Sequence, residues 1–369
     1  MEQEHLTPEK YESLLQKLDQ EENLSWAEIV AIIATPCPEL DQKLFSLADR
    51  KREKYVGEEI HLRGIIEFSN YCRKNCLYCG LRRDNSTLPR YRMKPAEIIE
   101  VAQKIVDLGI PTVVLQSGED LAYPTDLLAE IVFQVKKIGA AVTLSIGERD
   151  REDYLSLYQA GADRFLLKQE TFDRNLFDQI HSDDNYDFRL ACQKILQEIG
   201  FQTGSGNMVG LPGQKAKALA LDIKKFQEWN FDMIGIGPFI PHPKTPLGKH
   251  QPDSYQQLIL TLKVLALTRI LTKNSHLPAT TALGVLSAKG RETALRCGAN
   301  VIMPDFTPIK YQTSYNIYPG KSSFEEGEYR LAQARAMIKR LGRKETNHPG
   351  HSLKRHPHLN PLPRRERKF

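Results

Sequence analysis

The sequence alternates short apolar segments with longer amphipathic segments from residue 60 onward, and this alternation limits the fold more than any other feature. Between the apolar segments, apolar residues recur at helical spacing, and several of these stretches end at glycine, the usual residue after a helix. The apolar segments themselves have the length and composition of buried β-strands. There are eight of them, at residues 60–68, 112–118, 141–147, 164–170, 202–210, 233–239, 279–285 and 300–306.

This pattern predicts the fold class. Strands that alternate with helices form parallel sheets, and strands buried on both faces are almost continuously apolar. Eight such repeats over roughly 250 residues are typical of a (βα)8 barrel of the TIM type. We therefore expect an α/β barrel, and a doubly wound open sheet is the alternative.

Two flanking regions lack the alternation, so the sequence predicts three parts. Residues 1–57 have apolar residues at helical spacing and form a predicted N-terminal helical extension. Residues 58–342 contain the predicted barrel. Residues 343–369 are rich in Pro, His, Arg and Lys without apolar periodicity, and such a segment buries too little surface to offset its ordering entropy. We expect a disordered basic C-terminal tail that contributes nothing to the catalytic site.

Charge and cysteine usage exclude several classes of protein. The chain carries a net charge of +5, but the tail, with eight basic and two acidic residues, carries +6, which leaves −1 for the body. A nearly neutral body speaks against nucleic acid as a partner. The first residues are polar and acidic, and no apolar run reaches roughly 18 residues, so we expect neither a secretory signal nor a membrane span. Sparse cysteines indicate a reducing cytoplasm.

Cys72, Cys76 and Cys79 follow the first predicted strand with C-x3-C-x2-C spacing. Loops that follow the strands form the catalytic face of a TIM barrel. Thiolates hold iron-sulfur clusters, and a four-iron cluster with three thiolate ligands leaves one iron open to a small molecule. The alternative is structural zinc, which needs four ligands, and no fourth Cys or His follows Cys79 closely. The spacing therefore predicts that these cysteines hold a catalytic cluster.

With Tyr78 as the aromatic residue before the third cysteine, this loop resembles the signature of radical S-adenosylmethionine (SAM) enzymes. In that family the open iron of a 4Fe-4S cluster binds SAM. One electron from the cluster cleaves SAM to methionine and a 5′-deoxyadenosyl radical, so the cofactor carries the difficult chemistry. The resemblance implies one 4Fe-4S cluster and SAM as cofactors, and an electron donor such as ferredoxin or flavodoxin.

Polar residues after the later strands extend the resemblance. Ser117, Gly118 and Glu119 stand where the family has a Gly-Gly-Glu element that meets the amino group of SAM. Glu148, after the third strand, is expected to accept both ribose hydroxyls. Lys168, after the fourth strand, is expected to pair with the SAM carboxylate, although close relatives usually carry Arg, whose bidentate fork Lys lacks.

The second half of the chain resembles one branch of this family. Met208 lies in the glycine-rich stretch 204–213, where backbone can approach a ligand closely, and it joins the expected cofactor-binding residues. Stretches 234–243, 299–308 and 318–321 resemble the HydE-type maturases of FeFe-hydrogenase. That resemblance implies work on the azadithiolate-bridged di-iron subcluster, with a small-molecule or iron-carbonyl-cyanide substrate. It also implies a HydG-like maturase and a HydF-like scaffold as partners.

Some HydE proteins carry a second cluster near the end of the barrel, on C-x7-C-x2-C, but no cysteine follows Lys321 here. We expect one cluster, and we interpret Cys37, Cys192 and Cys297 as core residues. Two alternatives stay open. The first is a related enzyme with another small substrate, such as a methylornithine synthase or a biotin-synthase-like sulfur inserter. The second is a non-enzymatic iron-sulfur carrier, which the SAM-contact elements disfavour.

Overall fold

The structure is a computed structural model that describes residues 5–321 and 325–354. It begins with three helices, α1 (Pro8–Asp19), α2 (Trp26–Ala34) and α3 (Pro38–Val56). α1 and α2 each begin after an N-cap residue, Thr7 and Ser25, whose side chain accepts a hydrogen bond from a backbone N–H of the first turn. Their apolar faces are buried in the main hydrophobic core.

From residue 59 the chain alternates strands and helices, and the predicted α/β fold with a parallel sheet is confirmed. The elements that follow are, in chain order, β1 (Glu59–Leu62), β2 (Gly64–Ser69), α4 (Pro95–Asp107), β3 (Thr112–Ser117), α5 (Thr125–Lys137), β4 (Ala141–Ser145), α6 (Arg151–Gln159), β5 (Arg164–Leu166), α7 (Arg174–Ile180), α8 (Tyr186–Ile199), β6 (Gln202–Val209), α9 (Ala216–Glu228), β7 (Met233–Pro238), a 3-10 helix (Pro246–Lys249), α10 (Ser254–Thr272), α11 (Thr281–Leu286), α12 (Gly290–Arg296), β8 (Val301–Ile302), α13 (Ile309–Gln312), α14 (Gly327–Arg340) and β9 (Lys344–Glu345).

The strands form two parallel sheets that backbone hydrogen bonds connect. One sheet has the order β2-β3-β4-β5-β6-β7, and the other has the order β8-β1-β9. Residues 276–279 bond to the backbone at β7 on one side and to β8 on the other. Residues 304–306, directly after β8, bond to Ile65 of β2. Both edges of the six-stranded sheet are thus joined to the smaller sheet, as a TIM-type barrel requires.

The seventh predicted strand is wrong in its placement. Residues 279–285 were expected to be extended, but Thr281–Leu286 form α11, and the strand position falls on residues 276–279. Thr280 has the extended backbone of an N-cap residue, and the helix begins directly after it. A short apolar run does not distinguish a helix from a buried strand, so the sequence pattern did not predict this helix. The fourth predicted strand, 164–170, is also shorter, since β5 ends at Leu166.

The prediction of a disordered tail is wrong for residues 343–354, which we call the C-terminal segment. β9 lies in this segment and pairs with β1. Further along, Pro349 O accepts a hydrogen bond from Arg164 at 2.7 Å, and Gly350 O accepts one from Arg63 at 3.3 Å. The segment therefore covers the N-terminal ends of the strands, opposite the predicted catalytic face. The rest of the predicted tail, 355–369, lies outside the described residues.

The three cysteines outside the predicted cluster site lie in or against the main hydrophobic core. Cys192 and Cys297 are fully buried in the main core, and Cys37 is partly buried against it. None of the helices in the described part of the chain combines the length and apolar composition that a membrane span needs.

Candidate active site

Residues 72–79, the cysteine loop, begin just after β2 and pack against the end of β3. The backbone N–H of Glu119 points at Cys72 Sγ with an N–S distance of 3.4 Å. Gly118 makes this approach possible, because a Cβ added there would lie 2.1 Å from the carbonyl oxygen of Tyr71. The predicted Ser117-Gly118-Glu119 element therefore contacts the cysteine loop directly.

The three thiols of the loop are free and largely shielded from solvent. None is in a disulfide, and burial raises the pKa of each thiol, that of Cys79 to about 12. A thiol must lose its proton to bind metal. Iron supplies the positive charge that would stabilise the three thiolates in this buried loop.

The three free thiols of the loop are the type of donor that iron-sulfur clusters use. Within residues 5–321 and 325–354, no three His, Cys, Asp or Glu side chains converge closely enough to hold one metal ion. Structural zinc needs four such converging ligands, so this part of the chain gives the zinc alternative no support. A four-iron cluster takes each thiolate on a different iron, and its ligands need not meet at one point.

Glu148, at the end of β4, lies in a buried network of charges beside the cysteine loop. Its side chain is fully buried. Lys74 Nζ lies 2.7 Å from its Oε2, and Arg189 Nε lies 3.1 Å from its Oε1. Lys74 also donates to Asp184 at 2.6 Å. Burial raises the pKa of Glu148 although Arg189 opposes that rise, whereas for Asp184 the two cations outweigh burial and lower the pKa.

The two carboxylate oxygens of Glu148 differ in their hydrogen bonding. Its Oε1 accepts no well-directed hydrogen bond from the described residues, despite the nearby guanidinium of Arg189. A buried carboxylate oxygen without a donor is costly, so a hydroxyl donor is favoured there. The ribose contact of Glu148 stays a prediction from the sequence.

Lys168 lies beyond β5 and pairs with Glu170, which the sequence did not suggest. The distance from Lys168 Nζ to Glu170 Oε2 is 2.9 Å. Glu170 has a φ of 66°, a left-handed conformation that is costly for a residue with a side chain and often occurs at functional sites. Lys168 therefore stands at the same end of the sheet as Glu148 and the cysteine loop, with a carboxylate already beside it.

Tyr78 and Met208 each pack against a small apolar cluster that is separate from the main core. The Tyr78 hydroxyl lies 3.0 Å from His181 Nε2, and His181 Nδ1 lies 3.2 Å from the carbonyl oxygen of Phe177. A carbonyl oxygen only accepts, so Nδ1 carries the proton and the Tyr78 hydroxyl donates to Nε2. Burial lowers the pKa of His181 to about 3, which keeps the imidazole neutral.

Every predicted site residue thus lies at the C-terminal ends of β2 to β6. Cys72 is in direct contact with the Ser117-Gly118-Glu119 element, and Glu148 contacts the cysteine loop through Lys74. Arg189, which contacts Glu148, also donates to the carbonyl oxygen of Lys168 at 3.2 Å. Lys168 and Met208 both contact Glu170, whose carbonyl oxygen accepts from the Met208 N–H at 3.0 Å.

Comparison with known proteins identifies this arrangement. Residues 66–226 match the family model of the radical SAM superfamily. The chain is 53% identical over 305 residues to the FeFe-hydrogenase maturase subunit HydE of Thermotoga maritima, which covers 82% of this chain and 87% of the relative. The chain belongs to the HydE family of radical SAM enzymes. The radical SAM model spans the cysteine loop and every other predicted site residue.

More distant matches to this HydE family member agree in fold. It is 26% identical over 324 residues to 3-methylornithine synthase of Methanosarcina acetivorans, across 86% of this chain and 88% of the relative. The crystal structure of methylornithine synthase (PylB) superposes with a TM-score of 0.79 at 24% identity and covers 90% of this chain and 97% of that structure. At that identity the likeness shows the fold alone.

Proposed function

We propose that this protein is an FeFe-hydrogenase maturase that cleaves SAM at one 4Fe-4S cluster bound by Cys72, Cys76 and Cys79. The observation that carries the proposal is the 53% identity to HydE over 82% of the chain. The identity to 3-methylornithine synthase is half as high, 26%, which disfavours that alternative activity. The cysteine loop beside Gly118 and Glu119 supports the cluster site.

In this proposal the bound cluster and SAM supply a 5′-deoxyadenosyl radical, and the chain binds and orients them. The backbone at Gly118 and Glu119 meets the amino group of SAM, and Glu148 accepts the ribose hydroxyls. Lys168 pairs with the SAM carboxylate. Met208, which packs against the same apolar cluster as Tyr78, contributes an apolar contact to the cofactor.

The proposal extends to partners and location. We place the protein in the cytoplasm, with a ferredoxin or flavodoxin as electron donor. A HydG-like maturase and a HydF-like scaffold would act with it on the di-iron subcluster, and its substrate would be an iron-carbonyl-cyanide species or another small molecule. These assignments come from the likeness to HydE.

Two linked assays test the proposed function. The anaerobically reconstituted, reduced protein is expected to convert SAM to 5′-deoxyadenosine and methionine, measured by liquid chromatography. Added to HydG-like and HydF-like proteins and an apo-hydrogenase, it is expected to raise hydrogen evolution well above that of the mixture without it. SAM cleavage without hydrogenase activation would contradict the maturase role and indicate another substrate. No SAM cleavage would contradict the radical SAM activity itself.

Replacing Glu148 with Gln is expected to weaken SAM binding about tenfold or more while the cluster stays bound. Hydrogen bonds to a charged acceptor contribute roughly 1.5–3 kcal/mol each, and the neutral amide loses part of that for both ribose hydroxyls. Isothermal titration of the reconstituted variant with SAM measures the effect, and iron content is determined on the same sample.

Glu152→Gln is the matched control for this change, because Glu152 is an exposed carboxylate in the first turn of α6, close in sequence to Glu148. It is expected to bind SAM like the unmodified protein. Equal SAM affinity in the Glu148→Gln and Glu152→Gln proteins would reject the ribose contact.

A further inference from the structure

Residues 180–184, which we call the aspartate segment, connect α7 to α8 and lie along the cysteine loop. Each of these five residues bonds to a residue that stands between Cys72 and Cys79. The contacts are Ile180 O with Leu77 N at 2.9 Å, His181 Nε2 with the Tyr78 hydroxyl at 3.0 Å, the Ser182 hydroxyl with Asn75 O at 3.2 Å, Asp183 Oδ1 with Asn75 N at 2.9 Å, and Asp184 Oδ1 with Lys74 Nζ at 2.6 Å.

We propose that the aspartate segment positions the cysteine loop for its cluster, and that Asp183 and Asp184 are the positioning residues. This inference rests on the proposed function, because it takes Cys72, Cys76 and Cys79 as the cluster ligands. The aspartates are not proposed as ligands. The two aspartates act through the backbone and side chains of the loop.

Asp183 fixes the middle of the loop. Its Oδ1 accepts from the backbone N–H of Asn75, a buried residue, and its Oδ2 accepts from Arg83 at 3.0 Å. Removing this carboxylate leaves the Asn75 N–H without its acceptor, and a shielded donor without a partner destabilises the conformation that holds it. The exposed Arg83 pair contributes little by comparison.

Asp184 connects the loop to the proposed SAM site. It binds Lys74 of the cysteine loop and Arg189 of α8, and both cations also contact Glu148. The spacing between the cluster ligands and the proposed ribose contact therefore depends on this aspartate. A change in the aspartate segment should affect how the cluster is held and how SAM reaches it.

Three variants of the reconstituted protein separate positioning from general stability. Asp183→Ala removes the acceptor, and Asp183→Asn keeps an oxygen for the Asn75 N–H. Asp187→Ala is the control, because Asp187 lies four residues away and forms only an exposed pair with Arg174. Each variant is assayed for iron release to a chelator, for the SAM-induced change in the electron paramagnetic resonance of the reduced cluster, and for thermal unfolding without iron.

The expected result is about tenfold faster iron release from Asp183→Ala. A smaller share of its clusters should respond to SAM, while its iron-free unfolding temperature falls by no more than about 2–4 °C, as the loss of one hydrogen bond implies. Asp183→Asn and Asp187→Ala should stay within about twofold of the unmodified protein. Equal release from Asp183→Ala and Asp187→Ala overturns the proposal. Faster release that accompanies a larger fall in the unfolding temperature and is not rescued by Asn also overturns it. Failure of the cluster assignment itself would appear differently, as iron that remains after the three cysteines are replaced.

Discussion

Replacing Cys72, Cys76 and Cys79 together with Ala is expected to remove the iron and abolish SAM cleavage. The unmodified protein should carry about four irons per chain after anaerobic reconstitution, as a single cluster needs. Burial raises the pKa of all three thiols, so they ionise only against the charge of bound iron, and Ala offers no ligand in their place. Colorimetric iron analysis and the charge-transfer absorption of the cluster measure the loss.

Cys37→Ala is the control for this experiment, since Cys37 precedes α3 and is only partly buried. It should keep its iron and its SAM cleavage. Iron near four per chain in the triple variant would show that the ligands have been misassigned. Iron near eight in the unmodified protein would reveal a second cluster and contradict the expectation of one.

Most of the fold was predictable because periodicity is a local property of the sequence. A buried strand must be apolar along its length, and a helix that covers it must be apolar on one face. The misplaced seventh strand shows the limit of this reasoning. Residues 279–285 are apolar enough for either a strand or a helix. Which one forms depends on the N-cap at Thr280 and on the pairing of residues 276–279 with β7 and β8, which lie outside this stretch.

Some features of the candidate site were likewise predictable from the sequence, and others were not. The placement of the cysteines and Glu148 at one face was predictable because each follows a strand, and the ends of parallel strands meet at one face. Lys74, Asp184 and Arg189 were missed because their role depends on one another. Lys74 binds Glu148 and Asp184, which are 74 and 110 residues away along the chain, and no spacing in the sequence indicates such contacts.

The C-terminal segment was misread for a physical reason. Its composition predicts disorder because it has few apolar residues to bury. Its backbone pairs with β1 and accepts hydrogen bonds from Arg63 and Arg164, and polar side chains such as His351 add further contacts. Backbone carbonyl groups are the same in every residue, so composition cannot show that two buried arginines need them.

Ending the chain at Gly342 is therefore expected to lower the thermal unfolding temperature, contrary to what the composition suggests. Arg164 is fully buried, and burial lowers its pKa to about 10, which indicates how poorly its charge is solvated. Losing Pro349 O and Gly350 O removes acceptors from two buried guanidinium groups, at roughly 1.5–3 kcal/mol each. The pairing of β9 with β1 is lost as well. We expect a decrease of about 5–10 °C, measured by circular dichroism.

The matched control is a chain that ends at Lys354, which keeps every contact that the structure describes for the C-terminal segment. Ser352 N donates to Gln202 Oε1 at 2.7 Å, and Lys354 Nζ donates to Phe231 O at 2.6 Å. These last residues therefore still hold the segment against the N-terminal ends of the strands. This shorter protein should unfold at the full-length temperature. If the chain that ends at Gly342 also unfolds at the full-length temperature, the segment does not stabilise the fold. In that case water replaces the backbone acceptors of Arg63 and Arg164 without a loss of stability. A lower unfolding temperature in both proteins would instead assign the stabilisation to residues beyond Lys354.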